Sequence, residues 1–282
     1  MKILITGATG FIGTHLIKEL IKDKDNKIIA TSRNIEKAQK CHWYSKVIYI
    51  PYDTDDIEEL DLFEYFGKPD ILIHLAWSGL PNYSNNLHII ENLSRDVKFL
   101  DNIIENGLRN LSVTGTCFEY GMREGKLSED MEPQTINDYS IAKDCLRRHL
   151  EIKCKVFETK LIWLRLFYVY GIDVRKSSLI SQLEKAVKLK KAKFNMTEGN
   201  QIRDFINISE TVKLISKICL DDNAKGIYNV CSGIPISVID FVRQYLKKNN
   251  YKIDLNRGAI KENKLEPKVA YGCTKRTKRF II

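Results

Sequence analysis

The feature that most narrows what this chain can fold into is a glycine-spaced turn near its start. Gly7-Ala8-Thr9-Gly10-Phe11-Ile12-Gly13 follows a strand-like run, Ile3–Thr6, and opens a helical pattern over Phe11–Lys22. Glycines there permit a tight turn, close approach of backbone to a ligand, and close packing of helix on strand. The helix N-terminus adds oriented N–H groups and the positive end of a dipole, which suits a pyrophosphate. The spacing is Gly-x-x-Gly-x-x-Gly rather than Gly-x-Gly-x-x-Gly, and a glycine turn alone says little. With a strand before it, a helix after it and a βαβ continuation, it reads as a dinucleotide-binding turn built on Gly7, Gly10, Phe11, Ile12 and Gly13.

The continuation is present. Apolar runs at Lys27–Thr31, Lys46–Ile50, Asp70–Leu75, Leu111–Thr114 and Leu161–Phe167 alternate with helical patterns. These helices fall at Ile35–Lys40, in an acidic stretch ending near Phe66, and at Leu87–Glu105 and Asp138–Lys153. Continuous apolar strands between helices predict an α/β chain with a Rossmann-type doubly wound parallel sheet. After Gly171 the rhythm changes. Leu179–Leu189, Glu210–Leu220 and Val238–Lys248 read as helices, and Arg203–Ile206 and Ile227–Val230 as short strands. The expectation is a dinucleotide domain over 1–170 and a smaller C-terminal substrate-binding lobe over 171–282, partly interwoven with the first.

Composition removes several alternatives. A chain of 282 residues, 44% hydrophobic and 29% charged, can bury a core without disulfides and is not broadly disordered. No apolar run reaches the ~18 residues of a membrane span, and the first residues lack the apolar stretch of a signal peptide. A cytoplasmic protein with no membrane partner is expected. Seven cysteines, in neither Cys-x-x-Cys nor Cys/His ligand spacing, predict reduced thiols and no metal. The net charge of +9 gathers in the C-terminal half, while Asp53–Glu64 carries acids and no base. The basic stretches lack interleaved aromatics or a recognition motif, which argues against nucleic acid. They fit solvated faces, or the attraction of a small polyanion.

The end of the second strand speaks to which dinucleotide is bound. An acid there would hold the adenosine ribose hydroxyls and mark NAD. The chain has Thr31-Ser32-Arg33 instead. Arg33 can pair with a 2′-phosphate and Ser32 can donate to it, which points to NADP(H).

A second motif is Tyr139-Ser140-Ile141-Ala142-Lys143. On a helix, i and i+4 share a face. The lysine can hold a nicotinamide ribose and, as a nearby cation, lower the tyrosine pKa. With 13 tyrosines and 32 lysines, roughly one or two such pairs arise by chance. Two occur, Tyr139/Lys143 and Tyr271/Lys275. Context separates them, because only Tyr139 opens a helical pattern behind the fifth strand. That strand ends in Val113-Thr114-Gly115-Thr116-Cys117-Phe118-Glu119-Tyr120-Gly121, where a hydroxyl can meet a substrate oxygen beside Tyr139.

At this point the chain resembles an extended short-chain dehydrogenase/reductase of the nucleoside-diphosphate-sugar epimerase/dehydratase/reductase type. The resemblance covers nearly the full length. It includes the glycine turn, Asp53 after the third strand, His74-Leu75-Ala76 ending the fourth, and Asn92 in the long helix. It continues through Leu164-Arg165-Leu166-Phe167-Tyr168-Val169-Tyr170-Gly171, Arg203-Asp204-Phe205-Ile206 and Gly226-Ile227-Tyr228-Asn229-Val230. The resemblance implies Thr116, Tyr139 and Lys143 as catalytic residues. It implies Asp53 at the adenine, Leu75, Ala76 and Leu166 at the nicotinamide end, Asn92 in support of the cofactor, and Arg203 on the sugar nucleotide's diphosphate. Trp77, Tyr83 and Tyr168 become candidates for the sugar pocket. It also implies a homodimer through the helices near 87–105 and 138–153.

Departures from the family pattern sharpen the expectation. Dehydratases of the family place an Asp-Glu pair directly after the catalytic Thr, whereas Thr116 is followed by Cys117 and Phe118, with Glu119 one place later. Many epimerases carry Asn where Tyr168 stands, and the usual Pro before the catalytic Tyr is replaced by Ile136-Asn137-Asp138. The run from Thr116 to Gly121 resembles members that reduce 4-keto-6-deoxy sugar nucleotides. The sequence therefore predicts an NADPH-dependent 4-keto reductase acting on such a sugar. Its rivals are a redox-neutral 4-epimerase and a non-catalytic dinucleotide sensor. His15, His42, His88 and His149 show no partner spacing and are expected to serve packing or the surface.

Overall fold

Alternating apolar runs and amphipathic stretches give a βα succession. The computed structural model describes residues 1–53, 60–172, 178–263 and 266–280. Along the chain its elements are β1 (Lys2–Thr6), α1 (Phe11–Leu20), β2 (Lys27–Ser32), α2 (Ile35–Gln39), β3 (Ile48–Pro51), α3 (Leu62–Tyr65), β4 (Ile71–His74), α4 (Ser94–Glu105) and β5 (Asn110–Thr116). There follow β6 (Gly125–Leu127), α5 (Asp138–Val156), β7 (Lys160–Leu166), β8 (Tyr168–Tyr170), α6 (Leu179–Lys188), β9 (Lys193–Asn195), β10 (Ile202–Asn207) and α7 (Ile208–Cys219). The last are β11 (Gly226–Val230), β12 (Pro235–Ser237), α8 (Val238–Lys248), β13 (Asp254–Asn256) and β14 (Ala270–Gly272).

Seven strands make one sheet in the order β11-β7-β5-β4-β1-β2-β3, and every pairing in it is parallel. This is the doubly wound architecture that the alternation predicts. In β1, Ile3, Leu4 and Ile5 pair with Ile28, Ile29 and Ala30 on one side and with Ile71, Leu72 and Ile73 on the other. Helices cover both faces, so the central strands are apolar without alternation. On one face α1 and α7 press Leu16, Ile17, Ile215 and Ile218 against the sheet. On the other, α4 and α5 supply Phe99, Leu100, Ile103, Leu146 and Leu150. Each such side chain contributes ~1.5–3 kcal/mol by leaving water. Strand order reverses between β1 and β4, and the crevice beyond their C-terminal ends is where such sheets bind ligands.

The second half of the chain divides its work. Helix α7 and strand β11 complete the large sheet. Strands β8, β10 and β12 form a separate three-stranded sheet, and β9–β13 and β6–β14 form two pairs. Around them α6 and α8 bury Leu183, Phe194, Phe241 and Val242 in a core of their own.

Two expectations differ in detail. The helix expected over Leu87–Glu105 begins as a π turn over His88–Leu93 before α4 starts. This wider turn carries two buried polar side chains, His88 and Asn92, four residues apart. Strand β5 runs to Thr116, two residues beyond the expected end. The acidic stretch before Phe66 falls partly on residues 54–59, which lie outside the described residues. Among the described residues no helix is long and apolar enough to cross a membrane.

The glycine turn is held by contact. A Cβ on Gly13 would stand 2.4 Å from the Gly7 carbonyl oxygen, so α1 sits directly against the turn. Gly7 has φ +63°, and a Cβ there would stand 2.9 Å from the Ala76 nitrogen, where the chain leaves β4. Gly13→Ala is therefore expected to cost ~1–3 kcal/mol of stability by overpacking and to weaken dinucleotide binding. Denaturant unfolding and cofactor titration measure both, and wild-type values in each would show that the close approach is not required.

Candidate active site

The site begins where β1 and β4 end. Thr6, closing β1, is buried, and its Oγ1 accepts from the backbone N–H of Leu75 (3.1 Å) and of Ala76 (3.3 Å). With both lone pairs used, its own proton goes to His74 Nδ1 at 3.0 Å. That assigns the His74 proton to Nε2, which donates to Asp96 Oδ2 at 3.0 Å. A buried polar chain thus fixes Leu75 and Ala76 beside Gly7.

Beyond this point lies a cavity of about 400 Å³. Phe11 and Ile12 at the start of α1 line one side. Thr116, Tyr139 and Leu166 line the floor, and Tyr83, Phe118 and Tyr168 the outer wall. The aromatic rings of that wall touch, with Tyr83 and Phe118 centroids 4.8 Å apart and Phe118 and Tyr168 6.3 Å apart. Burial pushes the Tyr168 phenol well above its usual pKa and the Cys117 thiol up to about 12, so Cys117 stays a neutral thiol.

Tyr139 stands in the first turn of α5. Asn137 caps that helix by accepting from the Ser140 N–H at 2.9 Å, a contact typically worth ~1 kcal/mol. The Tyr139 N–H donates to the Tyr83 carbonyl at 3.0 Å, tying the outer wall to the helix. Asn137 therefore does the local work at a position where the family commonly places a proline nearby.

Thr116 ends β5. Its Oγ1 accepts from the Phe118 N–H at 3.3 Å, which leaves the hydroxyl proton available to a ligand. Its own N–H donates to Glu119 Oε1 at 2.9 Å. The Glu119 carboxylate, fully buried, also accepts from Trp163 Nε1 (3.0 Å) and Arg165 Nε (2.7 Å). It is turned beneath the strand and away from the cavity. Arg165 is equally buried and lays its guanidinium over the Tyr120 ring, 4.5 Å from the centroid.

Lys143 follows one turn after Tyr139 and is 1% exposed. Among the described residues its Nζ holds no hydrogen bond, and it faces the Trp77 ring, 3.8 Å from the centroid. Burial lowers its pKa from the ordinary 10.5 to about 8, while the negative charges of Asp96 and Glu119 work the other way.

The structure thus brings Gly7, Gly10, Phe11, Ile12, Gly13, Leu75, Ala76, Thr116, Tyr139, Lys143 and Leu166 to one crevice. Ser32 bonds the Tyr49 hydroxyl at 3.0 Å beyond β2, next to an exposed Arg33, and Asp53 follows β3. Three of the expected residues are engaged elsewhere in the structure. Trp77 lies under Lys143 instead of on the cavity wall. The Asn92 amide is engaged with Ser78 Oγ (2.7 Å), the Ser78 carbonyl (3.0 Å) and His88, so it braces the chain after β4. Arg203 is buried with Nη2 on Glu266 at 3.0 Å and Nη1 on the Ile202 carbonyl. It is not among the residues lining the cavity, and its guanidinium stands 5.6 Å from the centroid of the Tyr168 ring, which is. Sequence reasoning missed Glu119 as a hub and His88 as a brace. The His88/Asn92 spacing of four was the available signal. Tyr271 lies in β14, which ends at Gly272, so no helix joins it to Lys275.

These features suit a dinucleotide. The N-terminus of α1 has no side-chain cap, the turn before it is too tight for a Cβ, and a buried ammonium waits without a hydrogen-bond partner. Among the described residues no cluster of His, Cys, Asp and Glu could hold a metal.

Residues 3–231 match the profile of the NAD dependent epimerase/dehydratase family. The chain belongs to that family. It is an enzyme of the extended short-chain dehydrogenase/reductase type. It is similar to the dTDP-6-deoxy-L-talose 4-dehydrogenase (NAD(+)) of Aggregatibacter actinomycetemcomitans, 30% identical over 255 residues, 90% of this chain and 92% of the relative. The GDP-6-deoxy-D-talose 4-dehydrogenase of the same organism is 27% identical over 273 residues, 94% of this chain and 84% of the relative. Among solved structures, the UDP-glucuronic acid 4-epimerase from Bacillus cereus superposes with a TM-score of 0.85 at 23% identity, over 100% of this chain and 93% of its own. That likeness establishes the fold.

Tyr139→Phe is expected to keep dinucleotide affinity and to lose turnover by on the order of 10²–10⁴. Tyr271→Phe, the matched control, should leave turnover near wild type. Lys143 is charged below its pKa and neutral above it, so dinucleotide affinity should fall as pH rises through about 8. Titration of cofactor at a series of pH values measures this, and an affinity flat across that range would contradict the role given to the ammonium.

Proposed function

We propose that the enzyme reduces the 4-keto group of a nucleotide-linked 4-keto-6-deoxy sugar, with NADPH as reductant. The observation that carries this reading is the chemistry of the cavity. Its lining includes the hydroxyl-bearing Thr116 and Tyr139, and among the described lining residues none is Asp or Glu. Water elimination needs an acid and a base beside the sugar, and Glu119, the nearest acid in sequence, is consumed by Arg165, Trp163 and the Thr116 N–H. Two hydroxyls and a cation suffice for carbonyl reduction. The bound dinucleotide supplies hydride chemistry. Tyr139 donates a proton to the oxygen that develops charge at carbon 4. The Thr116 hydroxyl hydrogen-bonds the same oxygen, and Lys143 keeps positive charge beside Tyr139. The apolar wall of Tyr83, Phe118 and Tyr168 suits a sugar whose carbon 6 is a methyl group.

The relatives support the choice of carbon and sugar class. Both are named as 4-dehydrogenases of 6-deoxytalose nucleotides, and such a reaction run backwards is reduction of a 4-keto-6-deoxy sugar. The NADP(H) preference rests on Ser32 and the exposed Arg33 at the end of β2, where no acid stands. One relative carries NAD(+) in its name, so the preference is a claim about this chain's own second strand. In the same reading the lobe after residue 171 holds the nucleotide end of the substrate, and the enzyme works in the cytoplasm. Two copies pair through the helices near 87–105 and 138–153, where Ile90, Ile152 and Val156 are exposed.

The purified enzyme should oxidise NADPH with a 4-keto-6-deoxy sugar linked to at least one of dTDP, CDP, GDP or UDP. Conversion without NADPH consumption would make it a 4-epimerase. No conversion of any of the four, with dinucleotide binding intact, would leave a sensor. Arg33→Ala should cut the preference for NADPH over NADH by roughly ten- to a hundred-fold, the worth of a charge-assisted contact. Equal losses for both cofactors, or a wild-type preference for NADH, would remove the 2′-phosphate contact from the account.

A further inference from the structure

The Lys143 ammonium is buried, has no hydrogen-bond partner, and yet must stand at a defined point. What faces it is the ring of Trp77, 3.8 Å from Nζ to centroid. A desolvated cation gains most from the face of an indole among the aromatic rings. The ring is itself held. Trp77 Nε1 donates to His88 Nδ1 at 3.1 Å, and the two rings lie edge to edge with centroids 6.1 Å apart and planes at 27°. Asn92 Nδ2 approaches the same Nδ1 at 3.2 Å, and His88 Nε2 lies 2.8 Å from the Asn82 carbonyl. Two N–H donors converge on Nδ1, so the geometry assigns that nitrogen as an acceptor and the ring as a neutral imidazole protonated at Nε2. Every polar atom of His88, fully buried, is thereby used in fixing Trp77. Tyr139 completes the cluster, its ring 5.9 Å from Trp77 and 5.3 Å from His88.

We infer that Trp77, locked in place by His88, is a positioning residue whose π face holds the Lys143 ammonium, protonated and aligned below Tyr139, before any ligand arrives. It acts through Lys143 and touches neither sugar nor reacting atoms. The charged groups around the ammonium are Asp96 on α4 and Glu119 after β5, which favour the cation, and Arg95 on α4, which opposes it. None of them lies in hydrogen-bond contact with Nζ, so the indole is the near neighbour that sets its place. The inference rests on Tyr139 and Lys143 being the reactive pair, and is independent of which sugar is reduced.

The test uses the cofactor-free protein. An ammonium against the ring perturbs indole emission, so wild-type tryptophan fluorescence should show a step with pH centred near about 8. Lys143→Met and Trp77→Phe should each abolish it, while Trp43 and Trp163 give the same background throughout. Absence of the step in the wild type, or its survival in Lys143→Met, overturns the inference. A second arm reads dinucleotide affinity against pH. Removing the π face stabilises the cation less, so Trp77→Leu should move the fall in affinity down by roughly one pH unit. Trp77→Phe, which keeps a π face, should stay close to the wild type. Equal midpoints in all three proteins would also overturn it. Should Trp77→Leu fail to fold, the wild-type and Lys143→Met fluorescence still decides. Failure of every keto sugar as a substrate would leave both arms readable.

Discussion

The Glu119 carboxylate holds together the part of the sheet on which the site depends. It lies between β5 and β7 and accepts from the Thr116 backbone, the Trp163 indole and the Arg165 guanidinium at once. Thr116 and Leu166, at the ends of those two strands, both face the cavity. A buried ion pair contributes little net stability compared with apolar packing, but losing one partner leaves an uncompensated charge and costs ~3–5 kcal/mol. Its worth here is geometric. The backbone of Thr116 is clamped from below, so its hydroxyl meets the cavity in one orientation. The same clamp turns the acid three residues after Thr116 toward protein partners.

A second constraint runs parallel to the first. The chain leaving β4 is bonded at every step to buried polar groups. Leu75 and Ala76 are held by Thr6, Trp77 by His88, and Ser78 by Asn92. The turn after β1 packs against this segment through Gly7, and Lys143 rests on it from α5. Dinucleotide turn, catalytic helix and strand exit therefore meet at four consecutive residues.

Much of this was legible in the sequence because it is local. The glycine turn needs only its own spacing and flanking elements, and Tyr139 with Lys143 needs only a helix. Continuous apolar strands gave the parallel sheet. What was not legible is what depends on distant partners. Glu119 finds Arg165 and Trp163 across two strands, and Arg203 finds Glu266 some sixty residues on. Nothing in either stretch of sequence announces the other, so Arg203 read as a ligand for phosphate and Glu119 as a misplaced catalytic acid. Trp77 read as a pocket aromatic because a ring after β4 fits either role. Its true neighbour, Lys143, is defined only once α5 packs. Strands of three residues, such as β8, β12 and β14, are too short to show a period.

In the proposed reaction NADPH gives hydride to carbon 4 of a sugar held beside this clamped constellation, and the spent cofactor then leaves. The most direct measurement is the fate of deuterium from NADPH labelled at the transferring position, followed by NMR of the sugar nucleotide formed from its 4-keto-6-deoxy precursor. Deuterium should appear at carbon 4, one per NADPH consumed. Product formed at full rate without added NADPH and carrying no deuterium would contradict the claim.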